Sequence, residues 1–197
     1  MENIVKQVDS TFLYIIGLSF LLLLLVTGVM IYFLIRYRQA GNPGAADIRG
    51  NAALELAWMI VPALIALFMF YVGWQSFLGL RGVPRDALDI RATGVRFAWV
   101  FYYPTGKRSE GLLVVPLGRP VKITLTSLDV IHGFSVPAFR IKMDAVPKMK
   151  TYAWFYAGMP GTYKIFCSRY CGAGDAAMMA DLRVVTQKEY LDWLRKK

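Results

Sequence analysis

Residues 11–35, TFLYIIGLSFLLLLLVTGVMIYFLI, run for 25 positions without a charged side chain. A helix crossing a bilayer needs about 20 apolar residues at about 1.5 Å each, so this run spans with some tilt. Residues 56–80, LAWMIVPALIALFMFYVGWQSFLGL, are 25 more uncharged positions, and Pro62 within them is expected to kink the helix. The flank before the first run, MENIVKQVDS, is not basic. The run is also too long for a signal-peptide core, and no small-residue cleavage site follows it. Two buried core helices of this kind would need a large protein around them, and the chain has 197 residues. Two membrane spans, about 11–35 and 56–80, are therefore expected.

The segment between the runs holds Arg36, Arg38 and Arg49 against Asp47 and Glu55. Positive charge at span ends favours the cytoplasmic side, which places both termini on the outer face of a cytoplasmic (inner) membrane. Lys6, Arg81 and Arg85 on the other side dilute this asymmetry. Residues 1–81 thus read as a membrane anchor and 82–197 as a periplasmic or extracytoplasmic domain. That outer stretch has 116 residues, enough for one small domain. It carries 18 of the 23 basic and 9 of the 13 acidic residues, hence about +9 of the net +10. At 56% hydrophobic and 18% charged, the chain is neither disordered nor a coiled coil. Two cysteines exclude a disulfide-rich scaffold. A lone histidine, His132, excludes a multi-histidine zinc or haem site within this chain. The lipid bilayer is an expected partner and nucleic acid is not.

Beyond residue 82 the pattern is mostly β. IRATGVRFAWVFYY (90–103) is aromatic and β-branched and reads as a strand. In VKITLTSL, Val121, Ile123 and Leu125 alternate with Lys122, Thr124 and Thr126, a strand with one buried face. TYAWFYA, GTYKIFC and ADLRVVT read as further short strands, separated by Pro/Gly turns such as Tyr103-Pro104-Thr105-Gly106 and Met159-Pro160-Gly161. This spacing predicts an all-β Greek-key sandwich or barrel. The chain closes with TQKEYLDWLRKK, where Thr186 and Glu189 make a capping-box pattern and predict a short terminal helix.

The segment FCSRYCGAGDAAMM (166–179) holds both cysteines, Cys167 and Cys171, with Met178 seven residues further on. His132 lies upstream, at the expected end of the VKITLTSLDVIH strand. Two thiolates, a thioether and an imidazole are a soft set that selects copper over magnesium, calcium or manganese. Zinc more often takes a C-x2-C pair and four strong ligands, which this chain lacks. An outward-facing cysteine pair is equally compatible with a disulfide. His132 and Met178 are also compatible with ordinary core packing. At this point metal centre and disulfide both stand open.

Four motifs follow one another along the chain: LELAWMIVPALI (54–65), GVRFAWVFYYP (94–104), VIHGFSVPAFRIKMDAVP (130–147) and GMPGTYKIFCSRYCG (158–172). Their content and order give a resemblance, over the whole chain, to subunit II of haem–copper oxidases, the cytochrome c oxidase type. It implies a two-helix transmembrane hairpin followed by a cupredoxin domain with a binuclear copper centre. By position, Cys167 and Cys171 would bridge the coppers. His132 would bind one, while Met178 and the backbone carbonyl of Arg169 would be weak ligands. Single electrons would pass from a donor, through copper, to haem in a catalytic subunit I that reduces oxygen.

Three positions depart from the family. Asp175 stands where a second ligand histidine is expected. A carboxylate bound there would favour oxidised copper and make the metals unequal, and without it the site would hold one copper or none. Arg169 replaces a glutamate that helps hold magnesium at the subunit interface. Phe97 replaces the tryptophan at which electrons arrive; Trp99, two residues on and expected on the same strand face, is the substitute. The basic outer domain should repel a cationic cytochrome c and favour an acidic cytochrome or copper protein as donor. Other readings remain: the corresponding subunit of a haem–copper nitric oxide reductase, a structural subunit of a quinol-oxidase-like complex with a degenerate copper site, and a membrane-anchored copper carrier.

Overall fold

The computed structural model describes residues 4–41, 44 and 50–196, so Asp47 and Arg49 of the linking segment lie outside it. Two compact units emerge: Gln7–Phe77, and a second that joins the residues up to Lys6 with those from Leu78 onward. The first is built from two helices, α1 (Ile4–Arg36) and α2 (Ala52–Arg81), whose ends Ile4–Lys6 and Leu78–Arg81 belong to the second unit; together the helices cover both expected spans. Each is long and apolar enough to cross a membrane, and their large apolar side chains point outward rather than into protein. Asn51 opens α2: its Oδ1 accepts from the N–H groups of Ala53 at 3.0 Å and Leu54 at 3.2 Å. The helix continues through Pro62. The Thr11 and Ser76 hydroxyls sit 2.6 Å apart, a polar clasp of the kind that ties apolar helices together. Aromatic rings gather towards both ends of the pair. Phe33 lies between Tyr32 and Tyr37, and Trp74 stacks between Phe70 and Phe77, as interfacial belts do.

The second unit is a two-sheet β-sandwich. In chain order its strands are β1 (Leu88–Val95), β2 (Ala98–Tyr102), β3 (Arg108–Glu110), β4 (Leu112–Pro116), β5 (Pro120–Ser127), β6 (His132–Val136), β7 (Ile141–Ala145), β8 (Thr151–Tyr156), β9 (Gly161–Cys167) and β10 (Met179–Val185). One sheet has the order β3-β2-β1-β5-β8 and the other β4-β10-β9-β6-β7. β1–β5 and β4–β10 pair in parallel and the other strand pairs antiparallel. Trp99, Phe101, Ile123 and Leu125 from one sheet meet Phe134, Ile165 and Leu182 from the other in a fully buried core. β5 alternates as its sequence requires, with Val121, Ile123 and Leu125 inside.

Two strand expectations need correction. Residues 90–103 form two strands, because the chain reverses at Arg96 and Phe97 and Val95 pairs with Ala98. The aromatic and β-branched run conceals this turn, since neither turn residue is a glycine or proline. His132 does not end β5. That strand stops at Ser127, a turn follows, and His132 begins β6 in the opposite sheet. The terminal helix α3 (Gln187–Arg195) carries the expected capping box: Glu189 N–H donates to Thr186 Oγ1 and the Glu189 carboxylate accepts from Thr186 N–H. Lys107 crosses to this helix, with Nζ 2.9 Å from the Trp193 carbonyl and 4.4 Å from the centroid of its ring.

Candidate metal centre

Strand pairing sets the candidate ligands at one end of the sandwich. β6 and β9 lie side by side with Phe134 opposite Cys167, so the start of one faces the end of the other. Beyond Cys167 the chain loops and returns into β10 through Met178. Cys167 N–H donates to the Met178 carbonyl at 3.1 Å, and Ser168 N–H to the Gly133 carbonyl at 2.8 Å. These bonds close the loop over His132.

The side chains converge accordingly. Cys167 Sγ lies 4.0 Å from His132 Nδ1, 3.8 Å from Cys171 Sγ and 3.3 Å from the Arg169 carbonyl oxygen. Cys171 Sγ lies 3.8 Å from Met178 Sδ. Among the described residues, His132, Cys167 and Cys171 place their donor atoms within 4.8 Å of one another. His132, Cys171 and Met178 are buried and Cys167 is half-buried. Both thiols are free, and their separation is well beyond the roughly 2.05 Å of a disulfide. One metal bonding both sulfurs at about 2.3 Å accommodates any separation up to about 4.6 Å. The spacing therefore fits a shared soft metal, and the donor set of two thiols, thioether, imidazole and carbonyl suits copper.

The imidazole of His132 is held in place by residues that sequence reading missed. Asp129 Oδ1 lies 2.7 Å from His132 Nε2. Burial opposes the Asp129 charge, but hydrogen bonds from His132 and from the N–H groups of Val130 and Arg96 win. They hold its carboxyl well below the usual carboxylate range. An ionised carboxylate only accepts, so Nε2 donates to Asp129, and in the neutral imidazole the lone pair then sits on Nδ1, the nitrogen that faces Cys167. A carboxylate behind a ligand imidazole fixes its tautomer and raises its basicity. Gly94 gives the ring room: a Cβ there would stand 2.7 Å from His132 Cδ2. The only sequence signal for Asp129 is its place three residues before the histidine, and for Gly94 a glycine inside a strand, which marks a close approach.

Burial, together with Cys167 and the negative charges of Asp175 and Asp129, pushes the Cys171 thiol up to about 11. Asp175 opens a 3-10 turn, Asp175–Ala177, beside this sulfur. Its carboxylate is not among the clustered donor atoms, so it acts here as a nearby charge. Arg169 turns its guanidinium away from the cluster and holds Asp144 of β7 with both carboxylate oxygens engaged, Nη2–Oδ2 at 2.9 Å and Nε–Oδ1 at 3.1 Å.

The expected shared face of Phe97 and Trp99 is corrected. Phe97 lies in the β1–β2 turn, where strand alternation does not apply. Its exposed ring presses on the cysteine loop so closely that a Cβ on Gly174 would stand 2.7 Å from Phe97 Cδ2. Trp99 is fully buried, edge-on to His132 and Phe134 with centroids 6.0 and 5.2 Å apart.

Comparison with known proteins agrees with this architecture. The family described as cytochrome c oxidase subunit II, transmembrane domain, matches residues 1–77, and its periplasmic domain matches residues 107–185. Cytochrome c oxidase subunit 2 of Synechocystis sp. is 27% identical over 238 residues, covering 96% of this chain and 72% of that protein. The subunit 2 of Thermostichus vulcanus is 29% identical over 244 residues, covering 96% and 74%. The crystal structure of the periplasmic domain of subunit II of cytochrome oxidase from Bradyrhizobium japonicum superposes with a TM-score of 0.55 at 35% identity. That match covers 57% of this chain and 94% of the other.

Proposed function

The chain belongs to the cytochrome c oxidase subunit II family of haem–copper oxidases, and on that footing we propose that it receives single electrons on copper outside the membrane and delivers them to haem in an oxygen-reducing catalytic subunit. The observation that carries this reading is the convergence of two free thiols 3.8 Å apart with His132 Nδ1, Met178 Sδ and the Arg169 carbonyl. When bound, copper shared by two thiolates supplies a one-electron couple whose charge is spread over metal and sulfur. Cys167 and Cys171 would hold copper through their sulfurs. His132 would bind through Nδ1 while Asp129 accepts from its other nitrogen. Met178 and the Arg169 carbonyl would be weaker ligands. Two strand ends and a loop closed by backbone bonds hold these groups still, so little rearranges as the electron moves.

Phe97, exposed and packed on the ligand loop, is the surface at which the donor docks. Trp99, buried against His132, lies on the inner side of the same ligand. Asp175 is a tuning charge: negative charge near the thiolates stabilises the oxidised site and lowers its potential. The full set of sulfur and imidazole donors argues against a purely structural subunit.

The test is copper stoichiometry with optical and electron paramagnetic resonance spectra on the purified full-length chain. The expected result is thiolate-rich, mixed-valence copper that Cys167→Ser abolishes, because no other thiol in the chain can take its place. Full loading of that variant refutes the bridging role. Asp175→His is expected to move the spectrum, and an unchanged spectrum refutes the influence of Asp175.

A further inference from the structure

The outer face of the β3-β2-β1-β5-β8 sheet carries a groove separate from the ligand cluster. Strand register sets Tyr102, Arg91, Thr124 and Tyr152 in one row across β2, β1, β5 and β8. Asp89, Lys122 and Trp154 form the adjacent row. The rows are two residues apart along each strand, so their side chains share a face. The groove has a volume of about 430 Å³, and its lining includes Asp89, Arg91, Tyr102, Lys122, Thr124 and Lys150.

Its charges do not cancel. Asp89 is engaged from within, accepting from Lys122 Nζ at 3.0 Å and Thr124 Oγ1 at 2.8 Å. Arg91 and Lys150 are exposed and have no ion-pair partner among the described residues. Three cations therefore face one occupied carboxylate.

The same face contacts Leu80 and Arg81, which belong to the same compact unit. Trp154 Nε1 donates to the Leu80 carbonyl at 2.9 Å, and Tyr152 Oη to the Arg81 carbonyl at 3.4 Å. The Arg81 guanidinium and Lys122 Nζ lie 5.5 and 5.9 Å from the centroid of the Tyr152 ring. Leu80 and Arg81 are the last residues of α2, where the chain leaves the apolar layer. Tyr and Trp at such a level sit among lipid headgroups, and basic side chains there draw anionic lipid.

We propose that this groove binds the phosphate headgroup of an anionic phospholipid in the outer leaflet. Arg91 grips the phosphate oxygens through its planar fork, Lys122 and Lys150 add point charges, and Tyr102 lines the wall. The site is independent of the electron-transfer reading, since none of its residues touches the ligand cluster.

The experiment uses the full-length chain in mixed micelles and counts retained phosphatidylglycerol and phosphatidylcholine by native mass spectrometry. Wild type should prefer phosphatidylglycerol, and the double variant Arg91→Gln/Lys150→Gln should bind it about tenfold more weakly. The double variant Arg183→Gln/Lys188→Gln, which removes the same net charge elsewhere, should bind as wild type does. Copper content should be unchanged in both. Inorganic phosphate at matched concentration should leave the lipid in place; displacement would make the groove a site for free anions and overturn the proposal. Equal weakening in both double variants would reduce the effect to net charge and also overturn it. So would a photoreactive side chain at position 150 that captures an acidic segment of another subunit, and not lipid, in the assembled complex.

Discussion

Asp129 and Gly94 both act on His132, one by charge and one by leaving space. Each gives a distinct outcome on substitution. Asp129→Ala removes the acceptor behind Nε2 and frees the ring to change tautomer. Loss of such a partner costs about 10–100-fold in metal affinity, which copper competition with a chelator measures. Gly94→Ala places a Cβ where the imidazole stands. Overpacking of this kind costs about 1–3 kcal/mol, and denaturant unfolding of the metal-free protein should show it together with weaker copper retention. The thiols, thioether and imidazole were readable in the sequence because their chemistry is intrinsic to the side chain. Gly94 and Asp129 were not, because their role exists only where β1 and the β5–β6 turn meet β6.

The terminal helix α3 shows how far local sequence reaches. Its capping box involves residues three apart, and the structure forms it as the pattern requires. Thr186→Ala should destabilise the domain by about 1 kcal/mol in denaturant unfolding. Hydrogen bonds from the Thr186 hydroxyl and N–H hold the Glu189 carboxyl below its ordinary value of 4.5. A depressed carboxylate pKa contributes stability above the unfolded value that is lost as pH falls through the folded one. Acid should therefore loosen α3 below about pH 4.5, and Glu189→Gln should flatten that dependence; tryptophan fluorescence from Trp193 reports it. The β1–β2 hairpin is the counterexample. Its turn at Arg96 and Phe97 has no local signature, and pairing between Val95 and Ala98 defines it.

Across the chain, charge is segregated: about +9 of the net +10 lies beyond residue 82, on the periplasmic side of the membrane. A field of that sign accelerates encounter with an acidic donor and slows a basic one. The rate of reduction by an acidic cytochrome or copper protein should fall about tenfold between low and physiological ionic strength, as screening shortens the reach of the field. A basic cytochrome c should show the opposite trend. Stopped-flow reduction at two salt concentrations separates the two. Sequence supplies only the sum of these charges. Their placement, with Arg169 neutralised by Asp144 and Arg91 and Lys150 left exposed along one groove, comes from strand register.

Length without charge determined the two spans, because a bilayer tests composition along a segment and asks nothing of its neighbours. Alternation determined β5 for a similar reason: its period is local and its buried face is apolar. Soft donor atoms marked the candidate metal ligands before any fold was known. Folding decided what they could do together. It set two sulfurs 3.8 Å apart instead of in a disulfide, turned Nδ1 of His132 towards them through Asp129, moved Phe97 to the surface and buried Trp99. Each of these depends on contacts between segments far apart in sequence, and no periodicity within one segment records which distant strand will lie beside it.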